Sequence, residues 1–111
     1  MPRAKRSIEG TTTIDGFSLI WHLHREQQWS SADECKGIAI HVRVAVGARR
    51  ELYLEYPAMM PRKVGFIRVE PPQPAILAKK VEAHIREAMA HGWDPESRGK
   101  PYFYQVEELP S

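Results

Sequence analysis

Two neighbouring segments constrain this chain most: "KGIAIHVRVAV" at residues 36–46 and "ELYLEY" at residues 51–56. In the first, Ile38, Ile40, Val42, Val44 and Val46 occupy every second position, with Ala39, His41, Arg43 and Ala45 between them. In the second, Leu52, Leu54 and Tyr56 alternate with Glu51, Tyr53 and Glu55. A period of two sends successive side chains to opposite sides of a strand, so both segments read as strands with one buried face. The "GARR" between them provides a glycine for a hairpin loop. A slip of one residue would turn one apolar set to the wrong face. A three-residue loop avoids this. It sets Val44 opposite Leu52 and Val42 opposite Leu54, or the same sets shifted by two, and puts Glu55 across from His41 or Arg43 as a favourable pair.

The rest of the chain extends this pattern. From Phe17, the residues Phe17, Leu19, Trp21 and Leu23 alternate with Ser18, Ile20, His22 and His24, which predicts another strand. "EQQWSSADECKG" reads as a turn region. "PAMMPRKVGFIRVEPPQP" is too long to be structureless in a small domain, so "VGFIRVE" is expected to form a short or edge strand, with Met59 and Met60 as core filler. Residues 75–91 carry Leu77, Val81, Ile85, Ala88 and Met89 at helical spacing, with Pro74 suited to the first helical position. "PYFYQVEEL" closes the chain as a strand with Tyr102, Tyr104 and Val106 on one side. Together these elements predict an α+β domain: an antiparallel sheet of four to five strands with one amphipathic helix on one face. The domain is expected to span residues 11–111, after a flexible basic tail at 1–10.

Composition narrows the function classes. At 111 residues the chain fits one domain. Sixteen basic against 14 acidic residues is too balanced to require nucleic acid. The basic groups are Arg3, Lys5 and Arg6, then Arg49 and Arg50, then Arg62, Lys63 and Arg68, and they leave nucleic-acid binding through tail and loops as a second alternative. The single cysteine, Cys35, rules out an internal disulfide framework and fits a reducing compartment. No apolar run reaches the length of a membrane span, and no secretory signal is visible, so a cytoplasmic protein with no membrane partner is expected.

"GWDPESRGKPYFYQV" at 92–106 reads as punctuation between helix and strand. Gly92 suits a left-handed helix cap, and Trp93 then returns against the last turn near Ala88 or Met89. Asp94-Pro95 opens a type I turn, and Gly99 offers a second positive-φ site. A charged site of Asp94, Glu96, Arg98 and Lys100 is the competing reading, but turn chemistry explains the same letters. The stretch "IREAMAHGWDPESRGKPYFYQVEEL", with "RRELYLEYP" upstream, resembles a family of small uncharacterised bacterial proteins, some of them encoded on integron gene cassettes. The resemblance covers the C-terminal third and, more loosely, the hairpin. It implies a small α+β domain in a bacterial cytoplasm with an accessory role, and it carries over no catalytic residues.

Candidate chemistry gathers on the second face of the sheet. Ile20, His41, Arg43, Tyr53 and Phe103 mix apolar, aromatic and cationic side chains as protein interfaces do, and predict a protein-binding module that forms a homo-oligomer, a dimer being favoured. As an alternative, His22 and His24 project from one strand face and could converge with His41 and Glu55 on a small ligand or metal ion, in a binding protein or an enzyme. Cys35 and His41 form a weak nucleophile–base candidate, because the carboxylates near Cys35 would raise its thiol pKa. No phosphate loop, nucleophile elbow or metalloprotease motif is present, so nothing argues for an enzyme, and no cofactor is implied.

Overall fold

The computed structural model describes residues 7–29, 35–59, 62–69 and 72–111, and for Arg62 and Arg68 the backbone alone. Its main sheet has five strands in the order β1-β2-β5-β6-β9. These are β1 (Glu9–Ile14), β2 (Phe17–Arg25), β5 (Ala39–Val44), β6 (Leu52–Glu55) and β9 (Tyr102–Gln105). Two small ladders stand apart: β3 (Gln28–Trp29) with β4 (Cys35–Lys36), and β7 (Arg62–Val64) with β8 (Ile67–Val69). The one helix among the described residues is α1 (Ala78–Ala90). The class is α+β with a mostly antiparallel sheet.

The alternation read from the sequence is the alternation observed. Leu19, Trp21 and Leu23 of β2, Ile40 and Val42 of β5, and Leu52 and Leu54 of β6 are buried together under α1. The helix contributes Val81, His84, Ile85 and Ala88 to the same layer. Each fully buried aliphatic side chain in this layer contributes about 1.5–3 kcal/mol relative to exposure. Register departs from the expectation in detail. Val42 lies opposite Leu52 and Ile40 opposite Leu54, a shift that sets Glu55 across from Ala39 instead of His41 or Arg43. The connecting loop runs over 45–51 instead of three residues: the β5–β6 ladder ends at the Val42–Leu52 pair, and beyond it Val44 pairs with Leu19 of β2 alone. Val46 falls in that loop and is 82% exposed, so it is not part of the buried set.

Three further differences have simple causes. β1 pairs antiparallel with β2 along its whole length, so the boundary expected after residue 10 falls inside a strand. The Asp15-Gly16 turn between them has positive φ at both residues, which is the hairpin geometry that this dipeptide favours. β9 is parallel to β6, because the helix between them carries the chain back to the end of the sheet where β6 began. α1 starts at Ala78 with Leu77 as an N-cap that has no side-chain cap. Residues 72–77 precede the helix, so Pro74 does not open it, and Leu77 is an exposed cap residue with extended backbone, not part of the apolar stripe. The Leu77 N–H instead donates to Pro110 O at 2.7 Å, fastening the C-terminal segment along the start of the helix.

The end of α1 follows the sequence reading closely. Gly92 has φ 128°, its N–H donates to Met89 O, and the Trp93 N–H donates to Ala88 O at 3.0 Å, the double bond of a Schellman cap. Trp93 is buried, and its indole N–H donates to Arg50 O at 3.1 Å. The Ser97 N–H donates to Asp94 O at 3.1 Å, Asp94 Oδ1 accepts the Glu96 N–H at 2.9 Å, and Pro95 is buried in the turn. Gly99 has φ 134°. Arg50 is tied into the same segment, its N–H bonded to Ser97 O and its Nε to Lys100 O, both at 2.8 Å. The 92–100 stretch therefore clamps the β5–β6 loop through the Ser97 and Lys100 carbonyls and the Trp93 indole, with the Asp94 carboxylate shaping the turn.

Candidate functional site

The outer face of the sheet, away from α1, is organised by register. One residue from each strand lines up across it: Glu9, His22, His41, Tyr53 and Phe103. Neighbouring strands lie about 4.8 Å apart, which is also a comfortable spacing for aromatic rings. The ring centroids accordingly lie 4.8 Å apart for His22 and His41, 4.9 Å for His41 and Tyr53, and 5.2 Å for Tyr53 and Phe103. Tyr53 and Phe103 are nearly parallel, at 12°, and His24 meets the Tyr53 ring edge-on at 5.1 Å. Three of the expected interface residues, His41, Tyr53 and Phe103, thus form one continuous row with His22. Ile20 and Arg43 face each other in the adjacent row, with Thr11 beyond Ile20.

Burial grades along the row. His41, on a central strand, is enclosed by its neighbours, whereas Phe103, on the edge strand, is 59% exposed. His24 and Arg43 are exposed as well. His41 Nε2 lies 3.1 Å from Glu51 Oε1, while its buried Nδ1 has no hydrogen-bond partner. Among the described residues, Phe103, His24 and Arg43 are exposed and leave this face open.

The alternative ligand set does not come together. Glu55 belongs to the next row, where it lies 3.7 Å from Arg25 across the small Ala39 and accepts from Gln105 Nε2 at 3.0 Å. A register shift between Leu23 and Arg25 brings Arg25 onto the outer face to make that pair. Among the described residues, no group of three or more His, Cys, Asp or Glu side chains lies close enough to hold a metal ion. Cys35 sits in the β3–β4 ladder opposite Trp29, while His41 is engaged by the two rings and Glu51. Of the basic clusters, Arg3, Lys5 and Arg6 lie outside the described residues. Arg50 is consumed by the clamp and by the Tyr102 ring, 5.2 Å from its guanidinium carbon.

A second polar constellation was not foreseen. His84 on α1 is fully buried; its Nδ1 lies 2.9 Å from the Tyr56 hydroxyl and its Nε2 2.8 Å from Glu108 Oε1. With the proton on Nε2, the ring donates to the carboxylate and accepts from the phenol, so both ring nitrogens and the phenol hydroxyl are used. Burial, with the carboxylates of Glu87 and Glu108 adding to it, holds the Tyr56 phenol well above its ordinary pKa. The hydrogen bond from His84, followed by the charge of Lys80, lowers the Glu108 carboxyl below its ordinary value. The helical spacing of Val81, His84, Ile85 and Ala88 was the available signal, since it places His84 within the buried stripe. Tyr56 and His84 are enclosed and Glu108 alone reaches solvent, so the trio fastens the C-terminal segment to the helix.

No family model matches the chain, and no curated protein or solved structure matches it either. Among the described residues, no helix is long and apolar enough to cross a membrane.

Proposed function

We propose that this protein is a protein-binding module that self-associates, as a dimer, through the outer face of its sheet. The observation that carries the reading is the ring row His22–His41–Tyr53–Phe103, which runs across four strands and ends in a half-exposed phenylalanine at the sheet edge. Aromatic rings with a flanking arginine make the contacts that dominate protein interfaces, and lysine is depleted there as it is on this face. The stacking of Tyr53 on Phe103 sets the two rings face to face along the row, so their edges point outward. Edge-up rings suit interdigitation with another protein's side chains better than they suit a flat floor for nucleobases. The resemblance to small cassette-encoded bacterial proteins supports an accessory, cytoplasmic role.

Sedimentation equilibrium across a concentration series tests the reading. Phe103→Ala with Tyr53→Ala should raise the dimer dissociation constant at least about tenfold, given the 1.5–3 kcal/mol that burying one such ring contributes. The far-ultraviolet circular dichroism should be unchanged. A wild type that stays monomeric at high micromolar concentration would remove the proposal.

A further inference from the structure

Two surfaces of this chain are built to be covered and are left open in a single copy. The first is the β7–β8 hairpin. Its strands pair Arg62 with Val69, Lys63 with Arg68 and Val64 with Ile67, turning at Gly65-Phe66. That register gives the ribbon two unlike sides: Val64, Ile67 and Val69 with the position of Arg62 at the ladder's end on one, and the positions of Lys63 and Arg68 on the other. Val64 and Ile67 are more than half exposed, and Phe66 at the turn is fully exposed. Two cations directly opposite each other weaken a strand pair, and a lone two-stranded ribbon is marginal in water. The hairpin's substantial contacts are between its own two strands. Its base, however, is fixed. The Met59 N–H donates to Gln27 Oε1 at 2.7 Å, the Gln27 N–H donates to Gln73 Oε1 at 3.0 Å, and Gln73 Nε2 donates to Gln27 O at 3.1 Å. One buried glutamine thereby pins both ends of the arm.

The second open surface is the outer edge of β9. The N–H groups of Tyr102 and Val106 donate inward to Glu51 O and Glu55 O. In a parallel ladder the alternate residues, Phe103 and Gln105, then direct their backbone N–H and C=O groups away from β6, toward the open edge. Beside this edge, on the helix side, runs a groove of about 580 Å³ lined by Glu87, His91, Tyr104, Gln105, Glu107 and Glu108. Glu108 is engaged by Lys80 and His84, and Glu87 accepts a hydrogen bond from the Tyr104 hydroxyl, so the groove offers a cation the carboxylate of Glu107 and the charge of Glu87 beside it.

The two surfaces match side for side. We propose that the β7–β8 hairpin of one copy adds to the β9 edge of a second copy as a sixth strand. In the plane of the sheet, its backbone meets the open groups of Phe103 and Gln105. Its apolar side then extends the ring row past Phe103, and its Lys63/Arg68 side falls on the helix side of the sheet, where Glu87 and Glu107 line the groove. Because both surfaces belong to one chain, a two-fold pair satisfies both arms and both edges and closes. This inference rests on the self-association reading and moves its main contact from the outer face to the adjoining β9 edge, with the ring row continued at Phe103.

Charge reversal in two halves tests it by sedimentation velocity. Lys63→Glu with Arg68→Glu, and separately Glu87→Lys with Glu107→Lys, should each weaken the homodimer about a hundredfold or more, because each reversal sets like charges together. Mixing the two variants should restore a dimer near wild-type affinity, since every arm in the mixed pair meets a groove of opposite sign. Circular dichroism of each variant confirms that it is folded, and Phe66→Ala, which touches no charge, should weaken the wild-type dimer at least about tenfold. A wild type that is monomeric throughout overturns both this inference and the self-association reading. A dimer indifferent to both reversals, yet lost in the Tyr53→Ala, Phe103→Ala variant, overturns this inference alone. Reversals that leave the dimer intact but abolish binding to a single-stranded oligonucleotide, or to vesicles of phosphatidylglycerol and phosphatidylcholine, overturn it in favour of an anionic surface as the hairpin's target.

Discussion

The Tyr56–His84 contact allows a quantitative test of how the buried polar trio holds the fold. Tyr56→Phe removes the phenol and leaves His84 Nδ1 enclosed without a partner. His84→Leu keeps a similar volume but strands the Tyr56 hydroxyl in the core. A buried polar group without a partner costs about 1–3 kcal/mol, and His84→Leu also gives up the bond to Glu108. Each single variant should therefore lose about 2 kcal/mol, which for a domain of this size lowers the melting temperature by about 8–10 °C. The double variant removes donor and acceptor together and leaves an apolar contact of similar shape. It should cost roughly as much as one single variant, not their sum, giving a coupling of about 1–3 kcal/mol in a double-mutant cycle. Urea titrations followed by circular dichroism supply the four free energies, provided that the slopes agree. Additive losses would refute the hydrogen-bond reasoning. A double variant as unstable as the sum would point to packing around His84, with the polar contact incidental.

Other consequences follow from single sites. A depressed carboxyl pKa stabilises the fold above the unfolded value and ceases to do so as the pH falls through the folded value. Glu108→Gln should therefore be less stable than wild type at pH 7, with the gap closing on acidification below about pH 4, as followed by thermal melts at stepped pH. Gly37 is packed against the Tyr56 carbonyl so closely that a Cβ would collide with backbone. Gly37→Ala should lower the melting temperature by about 8 °C or more, because the obstacle cannot rotate away. Trp93→Phe keeps the ring but leaves Arg50 O without its indole donor; a loss of about 1–2 kcal/mol in urea titration is expected.

The contrast between what was legible and what was not has a physical basis. Alternation and helical spacing act through burial, so Leu19, Ile40, Leu52, Val81 and Ile85 announce themselves: their side chains must all turn toward one core. The Gly92-Trp93 cap was legible because it needs a glycine at one position and an apolar residue next to it, a demand made by the local chain alone. β1 was illegible on the same logic. "EGTTTI" buries only Ile14, so its strand character comes from pairing with β2, and only the Asp15-Gly16 turn advertised it. The parallel placement of β9 likewise depends on where α1 returns the chain, which no residue of "PYFYQV" encodes.

The outer face shows both regimes at once. Parity predicted that His22, His41, Tyr53 and Phe103 share a side, because parity is a property of each strand. Whether they also share a row depends on three independent registers, and all three had to align. The same dependence moved Glu55 out of the row, since a shift of two residues between β5 and β6 preserves the face but changes the neighbour. A site spread over several strands is therefore readable from sequence as a face and only from structure as a constellation. An interface is thus legible at the level of a face, whereas a metal or catalytic site, which needs its groups within hydrogen-bonding reach, is legible only once every register is known.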